Sequence, residues 1–339
     1  MQFTDTKISK RIGQNVAERA PKVSVIVPAY NVAEYIEEAL DSVFAQTFED
    51  FEVIVINDGS PDTEEFERFL EKYLDKIIYL KQENAGCGPA RNVAIQNARG
   101  SLLAFLDGDD VWLPGYLESQ TAFLETHNYD LVYANAHLFG NSAFEGKTYM
   151  QLSPSDGKAD FESLLDMRCN VLLSGSVARR KAVEDAGMFE WKNVRAQDFH
   201  LWLRMAHRGA SIGYQTNPLL KYRIRLTSLS GDSIQRIQRE IDVYQRVMDV
   251  IELNESQQKI VEKHFTRLEA ELEIERGKSF LLRKDFVAAR EAFEKANEYR
   301  RSNRLKLIIW MVRIAPKLLL SIYRSRRVGE IDLVPGGVK

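Results

Sequence analysis

Between Val23 and Leu106 the chain alternates short β-branched runs with longer amphipathic stretches. Val23–Val27 has the pattern of a buried strand, which Pro28 is expected to stop. Asn31 then starts a helix, with Glu34 three residues on as the other half of a capping box. Ile36, Leu40, Val43 and Phe44 share one face of it. Phe51–Ile56 is a second strand, broken at Asn57-Asp58-Gly59-Ser60, and a helix carrying Phe66, Phe69, Leu70 and Tyr73 on one side follows. Ile77–Leu80 is a third strand. Gly86 and Gly88 precede Pro89, which suits the first turn of a helix running to about Arg99, where Gly100 ends it. Leu102–Leu106 is a fourth strand, with Asp107-Gly108-Asp109-Asp110 at its carboxyl end. Four strands alternating with helices predict an α/β fold with a Rossmann-like, mainly parallel sheet covered on both faces. Ligands of such sheets bind outside the carboxyl ends of the strands.

Further on the pattern weakens. Leu131–Ala134 is read as a strand, residues 140–160 as a mobile loop rich in Gly, Ser and Asn, and Asp198–His207 as a helix. From about Ser233 the period changes, and Ile234, Ile237, Ile241 and Tyr244 open a helical region that runs to about Tyr299. Phe286, Ala289, Phe293 and Ala296 match half of a tetratricopeptide unit, but one unit is no array, so a packed helical hairpin is the reading. The expected organisation is a polar tail over 1–21, an α/β domain over 22–230, a C-terminal α-helical appendage over 231–300 and a basic amphipathic tail over 301–339.

A length of 339 residues suits one large domain with an appendage. The net charge of only -3 gives the whole molecule no pull on nucleic acid, and no nucleic-acid partner is expected. Cys87 and Cys169 are too few for a disulfide scaffold and lack zinc-site spacing, which points to a reducing, cytoplasmic setting. No export signal and no membrane-spanning run of about 20 apolar residues are read. The tail is one-sided: residues 301–329 hold eight Lys or Arg and no acidic residue. Leu305, Ile308, Ile309 and Val312 form an apolar stripe, continued by Leu318–Leu320 and Ile322, with Lys306, Arg313 and Lys317 interrupting it. The charge favours a helix lying in an anionic membrane interface; the other reading docks the stripe onto the appendage.

The strand ends carry the candidate chemistry. The carboxylates of Asp107, Asp109 and Asp110 repel one another, and a divalent cation with oxygen ligands is the usual answer. Asp58 either faces the strand-end crevice or bonds its own turn. A helix starting near Pro89 presents N–H groups and Arg91 to an anionic ligand. Gly86-x-Gly88 is not a dinucleotide fingerprint, because the third glycine is missing and the motif follows the third strand. Asp198 sits at a helix start, where the dipole alone would favour it. His200 and His207 lack a third zinc ligand and are read as structural. Cys87 has no visible His partner. Trp191 and Trp202 line an acceptor pocket or pack, and packing is the reading for Trp202.

Five motifs occur in order: residues 23–31, Val-Ile-Asn-Asp-Gly-Ser over 55–60, Gln-Glu-Asn-Ala-Gly over 82–86 with Ala-Arg-Asn over 90–92, Phe-Leu-Asp-Gly-Asp-Asp over 105–110, and Gln-Asp-Phe-His-Leu-Trp-Leu-Arg over 197–204. Together they resemble a family 2 glycosyltransferase of the GT-A fold over roughly residues 22–230. The resemblance implies an inverting transfer from a nucleotide diphosphate sugar, with uridine the favoured base. It implies that Pro28, Ala29 and Tyr30 lie along the base and that Asp58 accepts from a uracil N–H; Tyr30 is equally read as a plain rim aromatic. It implies that Asp107 contacts the ribose, that Gly108 lets the backbone approach the ligand, that Asp109 binds Mn²⁺ or Mg²⁺, and that Asp198 is the catalytic base. Two positions depart from the family: Gln197 stands where a Glu is usual, and Arg225 where a His is common. Arg225 is read as a phosphate clamp or as a surface residue. The implied acceptor is a glycan or lipid-linked hydroxyl of cell-surface polysaccharide synthesis, at the inner face of the cell membrane. The alternatives are a nucleotidyltransferase, which would need a Gly-rich basic loop after the first strand, and a non-catalytic scaffold, against which the intact aspartates stand.

Overall fold

The β-branched runs become the middle of a sheet. In the computed structural model, which describes residues 8–13, 18–156, 158–190, 196–225 and 233–330, the strands are β1 (Ser9–Ile12), β2 (Val23–Ala29), β3 (Phe51–Asp58), β4 (Ile77–Gln82), β5 (Leu102–Phe105), β6 (Val111–Trp112), β7 (Leu131–Phe139), β8 (Ser176–Arg179) and β9 (Ile212–Arg223). Their order is β1-β4-β3-β2-β5-β8-β7-β9-β6. β2 pairs in parallel with β3 and β5, and β3 with β4. Most of their side chains are buried, as a sheet covered on both faces requires. The other half is mixed. β8 runs antiparallel between β5 and β7, β7 and β9 are parallel, and β6 closes the far edge antiparallel to β9. At the near edge β1, drawn from the stretch read as a polar tail, pairs antiparallel with β4.

The first unit's helices are α1 (Ala33–Phe44), α2 (Thr63–Leu70), α3 (Cys87–Asn97), α4 (Tyr116–Thr126), α5 (Tyr149–Leu152), α6 (Phe161–Leu165), α7 (Arg180–Asp185) and α8 (Gln197–His207). Ile36, Leu40 and Val43 of α1 join Val25, Val27, Val53 and Val55 in the core. Burying each such side chain stabilises the fold by roughly 1.5–3 kcal/mol.

Three local expectations are corrected. Pro28 does not stop its strand, because β2 pairs with β3 through Ala29; beyond Phe105 there is no β5 ladder for Pro28 to spoil. Asn31 and Glu34 form no capping box. Asn31 is left-handed (φ 55°) and Val32 takes the cap position without a side-chain bond. The cap comes from afar: Asp62 Oδ2 accepts from the Ala33 N–H at 2.8 Å. Residues 140–160 are not a bare loop. They contain α5 and the buried Phe144, and Thr148 and Gln151 supply a reciprocal capping box.

The chain divides into two compact units, residues 1–193 with 197–224, and 194–196 with 225–339. The second is helical: α9 (Ser233–Val250), α10 (Glu255–Leu282), α11 (Phe286–Arg300), α12 (Asn303–Ile314) and α13 (Pro316–Glu330). Leu305, Val312 and Leu320 pack with Leu281, Ala289, Phe293 and Ala296, and Ile308 and Ile309 lie against them. The stripe expected at a membrane therefore docks within the helical unit, because it meets the apolar face of α10 and α11. Arg225 falls in this second unit.

Candidate active site

The parallel register sets β2, β3, β4 and β5 side by side, so their carboxyl ends open on one crevice. Asp58 ends β3 and is 2% exposed. Its Oδ1 accepts from Gln82 Nε2 at 2.7 Å and the Ala85 N–H at 2.9 Å, and its Oδ2 from the Gly86 N–H at 2.8 Å. Burial raises this carboxyl above its usual range, and the three donors oppose the rise. Asp58 is thus more than a turn residue bonding its own backbone: it pins the turn that launches α3. One residue earlier, the Asn57 side chain accepts from the Ser60 N–H at 2.9 Å. Ser60 Oγ in turn accepts from the Asn31 N–H at 2.6 Å. Pro28 is half-buried, Ala29 is a core residue, and Tyr30 stands 51% exposed at the rim.

α3 carries Arg91 inward. Its side chain is only 7% exposed and bonds Asp107 Oδ1 at 2.5 Å. The guanidinium also lies 5.5 Å from the Phe189 ring centroid. A buried guanidinium needs a carboxylate, and Arg91 orders Asp107. Asn92 and Phe189 exchange two bonds, at 2.6 and 2.9 Å, which fix the chain ahead of α8 to α3.

The turn after β5 is crowded with negative charge. The Asp107 N–H donates to Ser174 Oγ at 3.1 Å, and the Asp110 N–H to the Asp107 carbonyl at 3.0 Å. Asp109 is half-buried. Burial first, then Asp109 and Asp107, drive the Asp110 carboxyl well above its usual range. A Cβ on Gly108 would meet Val32 Cγ2 at 3.0 Å and the Pro28 carbonyl oxygen at 3.4 Å. Gly108 therefore lets the turn approach the start of α1 closely.

Asp198 lies in the first turn of α8, partly buried. Burial raises its carboxyl, Arg91 opposes that, and Asp107 adds to it. One guanidinium thus sits within electrostatic reach of Asp107 and Asp198. Gln197, at the position where Glu is usual, lies against α3. Cys87 Sγ is 3.5 Å from Gln197 Oε1, and a Cβ on Gly88 would stand 1.9 Å from that same oxygen.

Arg223 escapes a reading of the sequence. Its Nε donates to the Asp109 carbonyl at 2.8 Å and its N–H to Asp110 Oδ1 at 2.8 Å. Its guanidinium pairs with Glu38 and lies 4.6 and 4.2 Å from the ring centroids of Tyr35 and Phe139. Only the sequence-remote pairing of β9 with β7 brings it there. Tyr149 lies in the stretch expected to be a loop. It meets Tyr222 edge-on at 5.5 Å, and its hydroxyl is pushed up to about 12 by burial and by Asp198. A bulge in the β7–β9 pairing sets α5, since Asn135 Oδ1 accepts from the Met150 N–H at 3.1 Å. His200 and Trp202 are buried packing residues and both cysteines are free. Trp191 lies outside the described residues.

Asp107 and Asp198 thus share Arg91, Asp109 and Asp110 are held by Arg223, and Asp58 stands at the foot of α3. Among the described residues, no group of three or more His, Cys, Asp or Glu is disposed to hold a metal alone.

The model of glycosyl transferase family 2 matches residues 24–186. An uncharacterised glycosyltransferase of Rickettsia prowazekii is 33% identical over 66% of this chain and 71% of its own length. The Escherichia coli protein WfgD, named a UDP-Glc:α-D-GlcNAc-diphosphoundecaprenol β-1,3-glucosyltransferase, is 30% identical over 65% of this chain and 84% of its own. Other relatives are longer, and the chain spans 34% of one from Rickettsia felis. Among solved structures, Staphylococcus aureus TarS residues 1–349 with UDP-GlcNAc matches at TM-score 0.59 and 19% identity, covering 91% of this chain and 92% of that one. The Pyrobaculum calidifontis mannosyltransferase PcManGT, with GDP-Man and Mn²⁺, matches at 0.56 and 19%, covering 91% and 89%. The fold is that of these GT-A proteins.

Proposed function

We infer the reaction from one premise: this chain belongs to glycosyl transferase family 2, and it is a glycosyltransferase. We propose that it transfers a sugar from a nucleoside diphosphate donor to an acceptor hydroxyl with inversion at the anomeric carbon. Asp198 takes the hydroxyl proton, the acceptor oxygen bonds to the anomeric carbon, and the bond to the diphosphate oxygen breaks. A carboxylate with a raised pKa is a fitting base, because its proton affinity lies closer to working pH. Arg91 holds Asp107 beside it for the donor's ribose, and Arg223 fixes the backbone of Asp109.

A divalent cation, Mn²⁺ or Mg²⁺, fits the 107–110 turn, which sets three carboxylates in four residues with a buried Asp110 Oδ2 that has no hydrogen-bond partner. When bound it offsets the charge developing on the leaving diphosphate. Asp109 would hold it on this chain. Tyr30 and the Pro28–Ala29 backbone flank the base. The reaction named for WfgD supports a UDP-sugar donor and a lipid-linked glycan acceptor, and with them a role in polysaccharide synthesis at the cytoplasmic face of a membrane.

The observation that carries the reading is the placing of Asp107 and Asp198 on the one Arg91 guanidinium, with Asp109 on the same turn as Asp107. The Asp198→Asn variant tests it. Turnover is expected to fall about 10²–10⁴-fold while UDP binding in Mn²⁺ holds. Unaltered turnover removes Asp198 as the base.

A further inference from the structure

α12 is apolar on two opposite faces. Leu305 and Val312 pack inward, against Leu281, Ala289 and Phe293. On the far side Leu307, Trp310 and Ile314, at three- and four-residue spacing, are 55%, 56% and 56% exposed. α13 repeats the arrangement: Leu320 is buried, while Leu318 is 57% and Ile322 36% exposed. A helix apolar on all sides normally lies wholly inside a protein or a lipid phase. Here one face is inside and the other is open.

The charge at its borders says what covers it. Lys306 and Arg313 flank the open face of α12 on one side and Arg304 on the other, and Lys317 and Arg324 flank α13; all are exposed. The stretch 301–329 has eight Lys or Arg and no acidic residue, although the whole chain nets -3. A second copy docking by the same face would set these cations against themselves. A bilayer interface takes both parts, with aliphatic side chains and the indole at the acyl boundary and Lys and Arg reaching lipid phosphates. Among the described residues no helix is long and apolar enough to cross a membrane, so the fit is to a surface.

We propose that Leu307, Trp310, Ile314, Leu318 and Ile322 form a docking face for an anionic lipid bilayer, with the flanking cations on its headgroups. The proposal stands apart from the acceptor named above, since vesicle binding is measured without turnover. The full chain is sedimented with vesicles of phosphatidylcholine or of an equimolar mixture with phosphatidylglycerol. It is expected to pellet with the mixture only, with a blue shift of tryptophan emission that Trp310→Phe removes. The Trp310→Gln/Leu318→Gln double variant, altered only at exposed positions and checked for native melting, is expected to lose at least tenfold in partitioning. Replacing Lys306, Arg313 and Lys317 by Gln is expected to weaken it roughly a hundredfold, about fivefold per charge. The proposal is overturned if the native chain ignores anionic vesicles, or if the double variant binds as the native chain does. It is also overturned if the native chain, unbound by vesicles, forms dimers that the double variant splits, which gives the face to a second copy.

Discussion

The two units hold themselves together by different means. In the α/β unit the deciding polar bonds join residues far apart in sequence: Arg223 to the Asp109 carbonyl, Asn92 to Phe189, Asp107 to Ser174. In the helical unit they mostly stay within a turn, as in Arg236–Glu240, Gln238–Asp242, Arg276–Glu273 and Lys278–Glu275. Local pairs of this kind contribute only a few tenths of a kcal/mol each. That unit therefore depends on its apolar seam, while the α/β unit also depends on a few long-range clasps, and the clasps converge on the crevice. Damage to a seam lowers stability; damage to a clasp moves a reacting group.

That contrast is open to three substitutions. Phe293→Ala empties a side chain that is 3% exposed at the centre of the helical seam. It is expected to cost that unit about 3–5 kcal/mol, seen in hydrogen exchange of α10 and α11, with nucleotide affinity unmoved. A parallel loss of nucleotide binding would break the division between the units. Arg223→Ala removes a clasp. A shift of about 1 Å in the 109–110 turn is expected to lower kcat about 10²-fold, with melting altered far less than by Phe293→Ala. Equal kcat would reduce Arg223 to packing. Asp110→Asn has the smallest effect and the opposite sign. The folded carboxyl has a higher pKa than the unfolded value near 3.8, so its stabilising share is complete below that value. It is lost as pH rises through the folded pKa. The variant is expected to gain about 1 kcal/mol at neutral pH, roughly 2–4 °C in Tm, and nothing in acid. A variant that melts lower at neutral pH would contradict the crowding of charge at this turn.

What the sequence discloses divides along the same line. The four parallel strands and the helices starting near Ser233 and Asp198 are visible because a buried strand or an amphipathic helix repeats within a few residues. The mixed half of the sheet is fainter, since β9 alternates half-buried and exposed positions and its pairing with β7 is broken by a bulge. The aspartates show their places at strand ends, yet their partners do not. Nothing near Asn31 announces that Asp62 caps α1, and nothing near Tyr222 announces that the next residue clasps Asp109 and Glu38. The tail misleads for a related reason. Period locates an apolar stripe, but α12 has two, and only the packing of α11 decides which is covered.

Gly88 and Gln197 carry a consequence for any attempt to re-engineer this chain. A Cβ at position 88 would meet the amide end of Gln197, so Gly88→Ala is expected to displace that side chain and leave the backbone in place. Shortening the side chain at position 197 first would render Gly88→Ala harmless. What position 88 accepts is therefore set by the residue at 197, and a library randomised at one of them alone would not reveal it.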